Sequence, residues 1–451
     1  MKKIVVIGSG AAGAKAASKA KRLNPDNHIE IFTSDTHTSV SLCGLPYFIE
    51  GSVKDINDLI VRTPEEFLKN GIPVYTKYTL DEIIPDKNCV VVNNNHIFYD
   101  ELILALGASV NIPDIENAAC ENVFTLHSIE DAQNIKNKMQ TSQSVLIIGG
   151  GFIALELAQA FIKNGLKVIM AIRDNKMLSS FDDDFCSLIQ QNVALIAKEK
   201  LEIRLNETIV KFNTLDNKFQ SAINQNSDEI KADFCVLTTG IKPNSEIALR
   251  AGIKIGTTGA IYVDNKMRTN IKNIYAAGDC AEKYSITTKK PIYIGLGAIA
   301  NKEGRVAAIN ATGGNTEFFE GILASVITGF FNFTISKTGL TLNRANELAK
   351  EINLEPVCAT VTKKDKAGYM PNSNNMTLKI VADKRSGELL GAQGIGCANI
   401  AQRINTITSL LKTRATVDDL LNLDLPYAPP FSGSIDPVLT AAYKLKELLT
   451  K

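Results

Sequence analysis

The chain has 451 residues, of which 45% are hydrophobic and 22% are charged, and its formal net charge is +1. This length predicts about three domains, and a net charge this small gives no field that would favour nucleic acid or a membrane surface. Eight cysteines without paired spacing fit a reducing compartment better than a disulfide scaffold. The N-terminal apolar run is too short for a signal peptide, so we expect a cytoplasmic protein.

The first glycine-rich turn follows a predicted buried strand, residues 3–7. Its sequence, GSGAAG at residues 8–13, precedes a helix of small residues and a second predicted strand at residues 29–32. This order predicts a dinucleotide-binding unit, because the glycines let a pyrophosphate approach the N-terminus of the helix. The acid that usually binds a ribose is absent after the second strand, where Thr33 and Ser34 stand, so the ribose contact stays open.

Cys43 lies one βαβ unit beyond this turn, in the segment SLCGLPY at residues 41–47. A thiol beside a cofactor site suggests redox chemistry. Because no second cysteine is nearby, Cys43 must cycle against a substrate sulfur or an oxygen species. Gly44 and Pro46 mark the start of a helix, and we expect its dipole to lower the pKa of the Cys43 thiol.

A second glycine-rich turn repeats the first and predicts a second nucleotide site. A predicted strand at residues 144–148 leads into GGGFIA at residues 149–154, and another strand follows at residues 167–172. This internal duplication is the strongest architectural signal in the sequence. Ile172 ends this strand at the place where an NADH site would have a carboxylate, and Arg173, which follows it, can pair with a 2′-phosphate. The pattern favours NADPH and leaves NADH open.

Two similar strand-to-turn segments, at residues 102–108 and 235–241, follow the two glycine turns. The segment TNIKNIYAAGD at residues 269–279 predicts a strand that ends at Gly278 and places Asp279 at its carboxyl end. There a carboxylate can accept a hydrogen bond from a ribityl hydroxyl of a flavin. From about Gly321 the composition changes, and we interpret the remainder as a third, mixed α/β domain.

Over essentially its whole length the chain resembles the pyridine nucleotide–disulfide oxidoreductase family. The resemblance implies an α/β fold with two Rossmann-like, doubly wound nucleotide-binding domains and a C-terminal α+β dimerisation domain. It places FAD in residues 1–118 and 246–320 and NAD(P)H in residues 119–245. The interface domain would then comprise residues 321–451.

The sulfur chemistry indicates the single-cysteine branch of the family, because the C-x4-C pair is absent. The segments CGLPY (43–47), RTPEE (62–66), GYMP (368–371) and YAPPFS (427–432) are most similar to coenzyme A–disulfide reductase, which is related to NADH oxidase and persulfide reductase. Leu42 replaces the asparagine that often precedes the cysteine in that group. NADH oxidases and peroxidases typically place a histidine where this chain has Ala11, which argues against peroxide reduction. No histidine lies beyond His127, so a C-terminal histidine acid is excluded.

The resemblance implies an FAD-dependent enzyme that uses NAD(P)H to reduce CoA disulfide, or a CoA persulfide or polysulfide. Cys43 would form a mixed disulfide with CoA. Tyr369 and Tyr427 would protonate the leaving thiolate across a homodimer interface. Two alternatives stay open: an NADH oxidase that uses a Cys43 sulfenic acid, and a redox-responsive protein that binds FAD and NAD(H) but turns over slowly.

The expected binding residues form two sets, and the four histidines have no metal-ligand spacing, so no metal ligand is expected. The expected cofactor-binding residues are Gly8, Gly10, Ala11, Ala12, Gly13, Thr33, Ser34, Ala105, Gly107, Gly149, Gly151, Phe152, Ile153, Glu156, Arg173, Gly240, Gly278, Asp279, Gly297 and Ala298. By resemblance, the residues expected to contact CoA are Lys19, Arg22, Ser39, Arg62, Asn301 and Arg305. With Lys15, the first two form a positive helix face, a pattern that solvated helix faces share.

Overall fold

The first of three five-stranded sheets contains the strand that leads into the first glycine turn. The computed structural model describes residues 1–314, 316–397 and 399–450. The sheet is parallel, and its strands in spatial order are Ile274–Ala276, Glu101–Leu104, Lys3–Ile7, His28–Thr33 and Val74–Thr76. Helices Ala11–Leu23 and Gly297–Ala311 pack on one face, and Pro64–Lys69 lies beside them.

Successive side chains of these strands pack on opposite faces of the sheet, and both faces are buried, so the strands are continuously apolar in sequence. Ile4 and Val6 point toward the helices, whereas Val5 and Ile7 pack on a small antiparallel sheet on the other face. Both faces are therefore buried, as is usual for parallel sheets. The strands of that small sheet are Leu80–Ile84, Cys89–Val92 and Asn95–Phe98.

The second sheet repeats this architecture around the second glycine turn. Its strands are parallel and lie in the order Leu201–Leu205, Lys167–Ile172, Ser144–Ile148, Cys235–Leu237 and Val123–Phe124. Helices Ile129–Met139, Phe152–Lys163 and Asp183–Ala197 cover one face. An antiparallel sheet of Ile209–Leu215, Lys218–Asn224 and Glu229–Lys231 covers the other. The internal duplication predicted from the sequence is therefore confirmed.

The third sheet is antiparallel and contains strands Val326–Phe330, Phe333–Gly339, Leu389–Gly396, Asn375–Asp383 and Pro356–Lys364 in spatial order. It is accompanied by helices Leu342–Leu348, Ile400–Lys412, Val417–Leu421 and Pro437–Leu449. The predicted fold class, two Rossmann-like units followed by an α+β unit, is confirmed. The exact domain boundaries stay a prediction.

Short elements connect the three units. The chain at the end of each of the two similar segments noted in the sequence forms an antiparallel pair of strands, Ala108–Val110 and Ile241–Pro243, where the chain passes between the first two sheets. The remaining elements are the strands Lys283–Tyr284 and Pro291–Ile292, the helices Leu45–Glu50 and Glu246–Arg250, and the 3-10 turns Leu42–Gly44, Ile56–Leu59, Pro85–Lys87 and Lys198–Lys200. Within the described ranges, no helix is long and apolar enough to cross a membrane.

Candidate active site

A single large cavity of about 2080 Å³ joins the two glycine turns. Its wall includes Gly10 from the first turn, Gly151 from the second, Asp279 and Cys43. Ligand pockets usually measure roughly 300–1,000 Å³. The cavity therefore has room for more than one molecule of cofactor size.

The first glycine turn is shaped for a phosphate group. Gly8 has φ +102°, and a Cβ there would lie 2.0 Å from the carbonyl oxygen of Ala105. At Gly13 a Cβ would lie 1.9 Å from the carbonyl oxygen of Gly8. At Gly10, by contrast, no protein atom lies within 4 Å of the Cβ position. Gly8 and Gly13 are needed for packing, whereas Gly10 leaves open space at the N-terminus of a helix, where a pyrophosphate fits.

Asp279 follows the strand Ile274–Ala276 and presents an acceptor to the cavity. Gly278, with φ +82°, turns the chain between them. The Oδ1 atom of Asp279 is buried and has no hydrogen-bond partner within the described residues. Burial raises the pKa of this carboxyl, while Lys283 and His127 oppose the shift. An unpartnered buried oxygen is costly unless a ligand donates to it, and the ribityl chain of FAD has suitable hydroxyls. The residues present therefore fit FAD.

Cys43 lies in a 3-10 turn directly before helix Leu45–Glu50. Its side chain is exposed to the cavity. The surrounding protein still raises the pKa of its thiol through burial, and the carboxylates of Glu156 and Asp279 raise it further. The predicted lowering of this pKa is wrong for the polypeptide itself, because burial and two nearby acids outweigh the dipole of a helix of less than two turns.

The helix that begins at the second glycine turn, Phe152–Lys163, holds the Cys43 region in place. Lys163 Nζ lies 2.7 Å from the carboxylate of Glu50, the last residue of the helix after Cys43. On the same helix, Glu156 Oε1 accepts a hydrogen bond of 2.9 Å from Thr328 in the third sheet. Burial raises the pKa of Glu156. The second nucleotide unit thus contacts both the Cys43 helix and the C-terminal unit.

The second glycine turn resembles the first, except that its third glycine is replaced by Ala154. Gly149 has φ +128°, and no protein atom lies within 4 Å of a Cβ at Gly151. Arg173 follows the second strand with 81% of its side chain exposed, and its Nε lies 3.6 Å from Asp174. Arg173 is therefore free to reach a ligand phosphate but also carries a neighbouring acid.

The structure brings together most of the predicted cofactor-binding residues. Those that line the cavity are Gly10, Ala11, Ala12, Ala105, Gly107, Gly151, Phe152, Ile153, Glu156, Gly240, Gly278, Asp279, Gly297 and Ala298. Those outside its wall are Gly8, Gly13, Thr33, Ser34, Gly149 and Arg173. Thr33 is buried, and its hydroxyl donates to Asp35 Oδ2 at 3.1 Å, so Asp35 is the more accessible of the two.

The predicted CoA residues divide in the same way. Arg22, Ser39, Arg62 and Asn301 line the cavity, and Arg62 Nη1 donates to Ser18 Oγ at 2.8 Å. Lys19 and Arg305 do not line it, and Arg305 pairs with Glu317. Four other cations do: Lys15, Lys21, Lys302 and Lys412. Lys412 could not be found from the sequence, because it is the last residue of helix Ile400–Lys412, 399 residues after the end of the first turn.

Tyr369 and Tyr427 lie together but outside the cavity wall. Burial raises the pKa of Tyr369, followed by the charge of Tyr427 and a hydrogen bond between the two side chains. Their loops are joined by a hydrogen bond of 3.2 Å from the Ala367 amide to the Pro429 carbonyl. Tyr369 is 76% exposed and Tyr427 is 52% exposed. Within one chain the structure does not bring them to Cys43.

Sequence reasoning missed His127, which is half-buried and lines the cavity. Its charge acts on Asp279. No motif identifies this histidine, which stands just before the helix cap Ser128. In the part of the chain that the structure describes, no group of three histidine, cysteine or acidic residues could hold a metal ion.

Comparison with known proteins identifies the family to which this fold and this site belong. The family model described as pyridine nucleotide-disulphide oxidoreductase matches residues 2–312. The model of that family's dimerisation domain matches residues 325–438.

Similar proteins cover nearly the whole chain. A Pyrococcus furiosus protein named NAD(P)H sulfur oxidoreductase (CoA-dependent) is 36% identical, with 99% of each chain covered. Coenzyme A disulfide reductase of Staphylococcus aureus is 32% identical over 99% of this chain and 100% of its own. An NADH oxidase of Methanocaldococcus jannaschii is 31% identical over 99% of both chains.

Among solved structures, an NAD-dependent persulfide reductase from A. fulgidus matches with a TM-score of 0.94 and 35% identity. The match covers 99% of this chain and 83% of that one. Solved relatives bound to NADH or NADPH also share the fold. The family model and the relatives indicate that the cofactors of this protein are FAD and NAD(P)H. The chain belongs to the pyridine nucleotide-disulphide oxidoreductase family and is an NAD(P)H-dependent flavoprotein disulfide reductase.

Proposed function

We propose that this protein reduces CoA disulfide, or a CoA persulfide or polysulfide, with electrons from NAD(P)H. The observation that supports this most is the cavity wall. Cys43 is the one cysteine of eight that lines it, and cations such as Arg22, Arg62 and Lys412 line it too. CoA combines a thiol arm with several phosphates, so a lone thiol in a cavity with a cationic wall suits it. The CoA-linked names of the relatives agree with this substrate class.

Within this proposal the first unit, residues 1–118 and 246–320, holds FAD, and residues 119–245 hold NAD(P)H. Asp279 accepts a hydrogen bond from the ribityl chain, and the open positions at Gly10 and Gly151 admit the two pyrophosphates. When bound, FAD supplies the electrons from NAD(P)H that reduce the sulfur held by Cys43. All eight cysteines are free, which supports a cytoplasmic location.

The chain's own chemistry is centred on Cys43. Its thiolate attacks one sulfur of CoA disulfide, the S–S bond breaks, and one CoA leaves as a thiolate while the mixed disulfide forms. Two electrons and one proton then break the mixed disulfide, return Cys43 to the thiolate and release the second CoA as a thiol. Because burial, Glu156 and Asp279 all raise the pKa of Cys43, the polypeptide by itself favours the protonated thiol.

We further propose a homodimer in which Tyr369 and Tyr427 of one subunit reach the Cys43 cavity of the other and protonate the leaving thiolate. These tyrosines are exposed within one chain, and Phe431 beside them is 71% exposed. Residues 325–438 match a dimerisation domain. Exposed aromatic side chains of this kind are typical of interface residues.

NADH oxidase activity is the second candidate. Ala11 occupies the place where oxidases typically carry a histidine, but His127 lines the same cavity. A histidine in this cavity is a candidate proton donor for oxygen chemistry. A slow, redox-responsive binding protein would show neither activity at a useful rate.

The deciding experiment is mass spectrometry of the intact, non-reduced protein beside a Cys43→Ser variant. We expect a reducible adduct of CoA mass on Cys43 that is absent from the variant, together with NAD(P)H-driven reduction of CoA disulfide or persulfide. Cys397→Ser is the matched control, since Cys397 is half-buried and lies outside the cavity wall. Cys43 found as sulfenic acid, with rapid NADH-driven oxygen consumption, would replace this proposal with the oxidase.

A further inference from the structure

A fully enclosed ion pair lies behind Asp279. Lys283 Nζ and Glu303 Oε2 are 3.6 Å apart, and both side chains have 0% exposure. Lys283 follows Asp279 by four residues, whereas Glu303 comes from helix Gly297–Ala311. No sequence motif of the family drew attention to either residue. Neither one lines the cavity.

The pair holds the backbone of one residue, Gly278, at both its amide and its carbonyl. Glu303 Oε2 accepts a hydrogen bond of 2.8 Å from the Gly278 amide. Lys283 Nζ donates to the Gly278 carbonyl at 2.6 Å and to the Ala281 carbonyl at 2.9 Å. Gly278 adopts φ +82° and lies against the first helix, since a Cβ there would be 2.9 Å from the Cβ of Ala12. The turn that directs Asp279 into the cavity is therefore fixed from two directions.

Stability alone does not account for such a pair. Removing two charges from water costs more than their attraction returns in many proteins, and apolar replacements are often neutral or stabilising. Here Glu303 Oε1 also lacks a partner among the described residues. Burial raises the pKa of Glu303 to about 7, although Lys283 opposes the shift. Because this enclosed ion pair leaves one carboxylate oxygen unsatisfied, we attribute its role to positioning the backbone that it contacts.

We propose that Lys283 and Glu303 are positioning residues that hold the Gly278 backbone at its carbonyl and its amide, so that Asp279 presents its unpartnered oxygen to a ribityl hydroxyl of FAD. The inference rests on the assignment of Asp279 under the proposed function. It does not depend on which sulfur compound is reduced. Its consequence is that retention of the flavin is controlled by two residues that never touch it.

The test measures the rate at which the holoenzyme releases flavin, followed by the fluorescence of free FAD. Lys283→Met removes the donor to both carbonyls, and we expect release about tenfold faster, since a hydrogen bond to a charged group is worth one to two orders of magnitude in equilibrium. Glu303→Gln keeps an acceptor for the Gly278 amide and should fold if the first variant does not. We expect it to speed release by about threefold at pH 8, because a neutral acceptor is weaker.

The matched control is Asp436→Asn, which makes the same carboxylate-to-amide change in another buried ion pair, 2.7 Å from Arg403 in the C-terminal unit. We expect it to leave flavin release unchanged even if it lowers the melting temperature. Equal acceleration in Glu303→Gln and Asp436→Asn would overturn the inference, because it would indicate general destabilisation.

A pH profile separates positioning from a merely structural role. The titratable groups that face Glu303 are Lys283, Asp279 and Cys280, and His127 faces Asp279. In the unaltered protein we expect faster release as the pH falls through about 7. In Glu303→Gln, release should match the low-pH value at every pH. An inflection that persists in this variant would assign the effect to another group, such as His127, and overturn the inference.

Asp279→Asn completes the set. If it speeds flavin release while the Lys283 and Glu303 variants do not, the positioning inference fails and the Asp279 assignment stands. If it leaves release unchanged, the Asp279 assignment fails, and the inference fails with it. The CoA adduct on Cys43 is measured independently, so neither result bears on the proposed substrate.

Discussion

The two nucleotide units share one architecture but enclose their turns to different degrees. In the first, a Cβ at Gly13 would lie 1.9 Å from Gly8, and a Cβ at Gly304 would lie 2.2 Å from the Ala12 carbonyl. In the second, the place of Gly13 is taken by Ala154, whose Cβ is accommodated and fully buried. The first unit thus brings two helices and a turn into backbone contact, whereas the second leaves more space.

The ends of the second strands differ in charge and not in burial. Thr33 and Ile172, the last residues of the two strands, are both buried, but the exposed residue that follows is Ser34 in the first unit and Arg173 in the second. One glycine motif can therefore serve a cofactor that stays bound and another that exchanges in each turnover. We expect FAD to remain bound to the first unit and NAD(P)H to bind to and dissociate from the second unit in each turnover.

The sharpest way to break this comparison is a matched pair of substitutions, Gly10→Val and Gly151→Val. Both glycines have negative φ, −68° and −88°, and open space at the Cβ position, so the backbone tolerates either change. Gly10→Val should yield a folded protein that has lost flavin. Gly151→Val should keep its flavin and bind NAD(P)H roughly 100-fold more weakly, the scale of about 3 kcal/mol.

Flavin absorbance of the purified variants and titration with NADPH check this pair, and circular dichroism controls for folding. If both variants lose flavin equally, the two turns are not independent sites. If neither loses a cofactor, the open spaces at Gly10 and Gly151 do not admit pyrophosphates.

Arg173→Glu sharpens the difference in nucleotide choice. The exposed arginine can pair with a 2′-phosphate, while a glutamate would repel it and could accept hydrogen bonds from the ribose hydroxyls of NADH. We expect the ratio of kcat/KM for NADPH over NADH to fall by about tenfold or more. Lys167→Glu, at the exposed start of the same strand, is the control and should leave the ratio unchanged. An unchanged ratio in Arg173→Glu would mean that another residue selects the nucleotide.

The sequence was sufficient for the fold because glycine turns and buried strands are local patterns. The strands at residues 144–148 and 167–172 lie where they were predicted, and Gly10, Gly151 and Asp279 converge on one cavity. Convergence of distant residues was not predictable. His127 and Lys412 enter the cavity through tertiary packing, and Lys283 and Glu303 meet only because helix Gly297–Ala311 packs on the first helix.

The pKa of Cys43 was predicted in the wrong direction for the same reason. The dipole of the helix after Cys43 is visible in the sequence, but the carboxylate of Glu156 comes from a separate unit, 113 positions later in the numbering of the chain. Burial, the largest cause, is likewise a property of the folded cavity. Electrostatic surroundings depend on every element packed around a group, whereas a motif reports only its neighbours in sequence.

The smallest expected effect concerns the influence of Glu156 in the second unit on the pKa of Cys43 in the first. Glu156→Gln removes a carboxylate that raises the pKa of Cys43, so the variant's thiol should have a lower pKa and a larger thiolate fraction at any pH below it. We expect Cys43 to be alkylated by iodoacetamide about two- to tenfold faster at pH 8, since one pKa unit corresponds to a tenfold change. Glu199→Gln, which changes an exposed carboxylate of the second unit that is not among the causes of the Cys43 shift, is the comparison variant. Faster alkylation in Glu156→Gln alone would show that the second unit tunes the nucleophile of the first, and equal rates in both variants would mean that the two units share a cavity without sharing electrostatics.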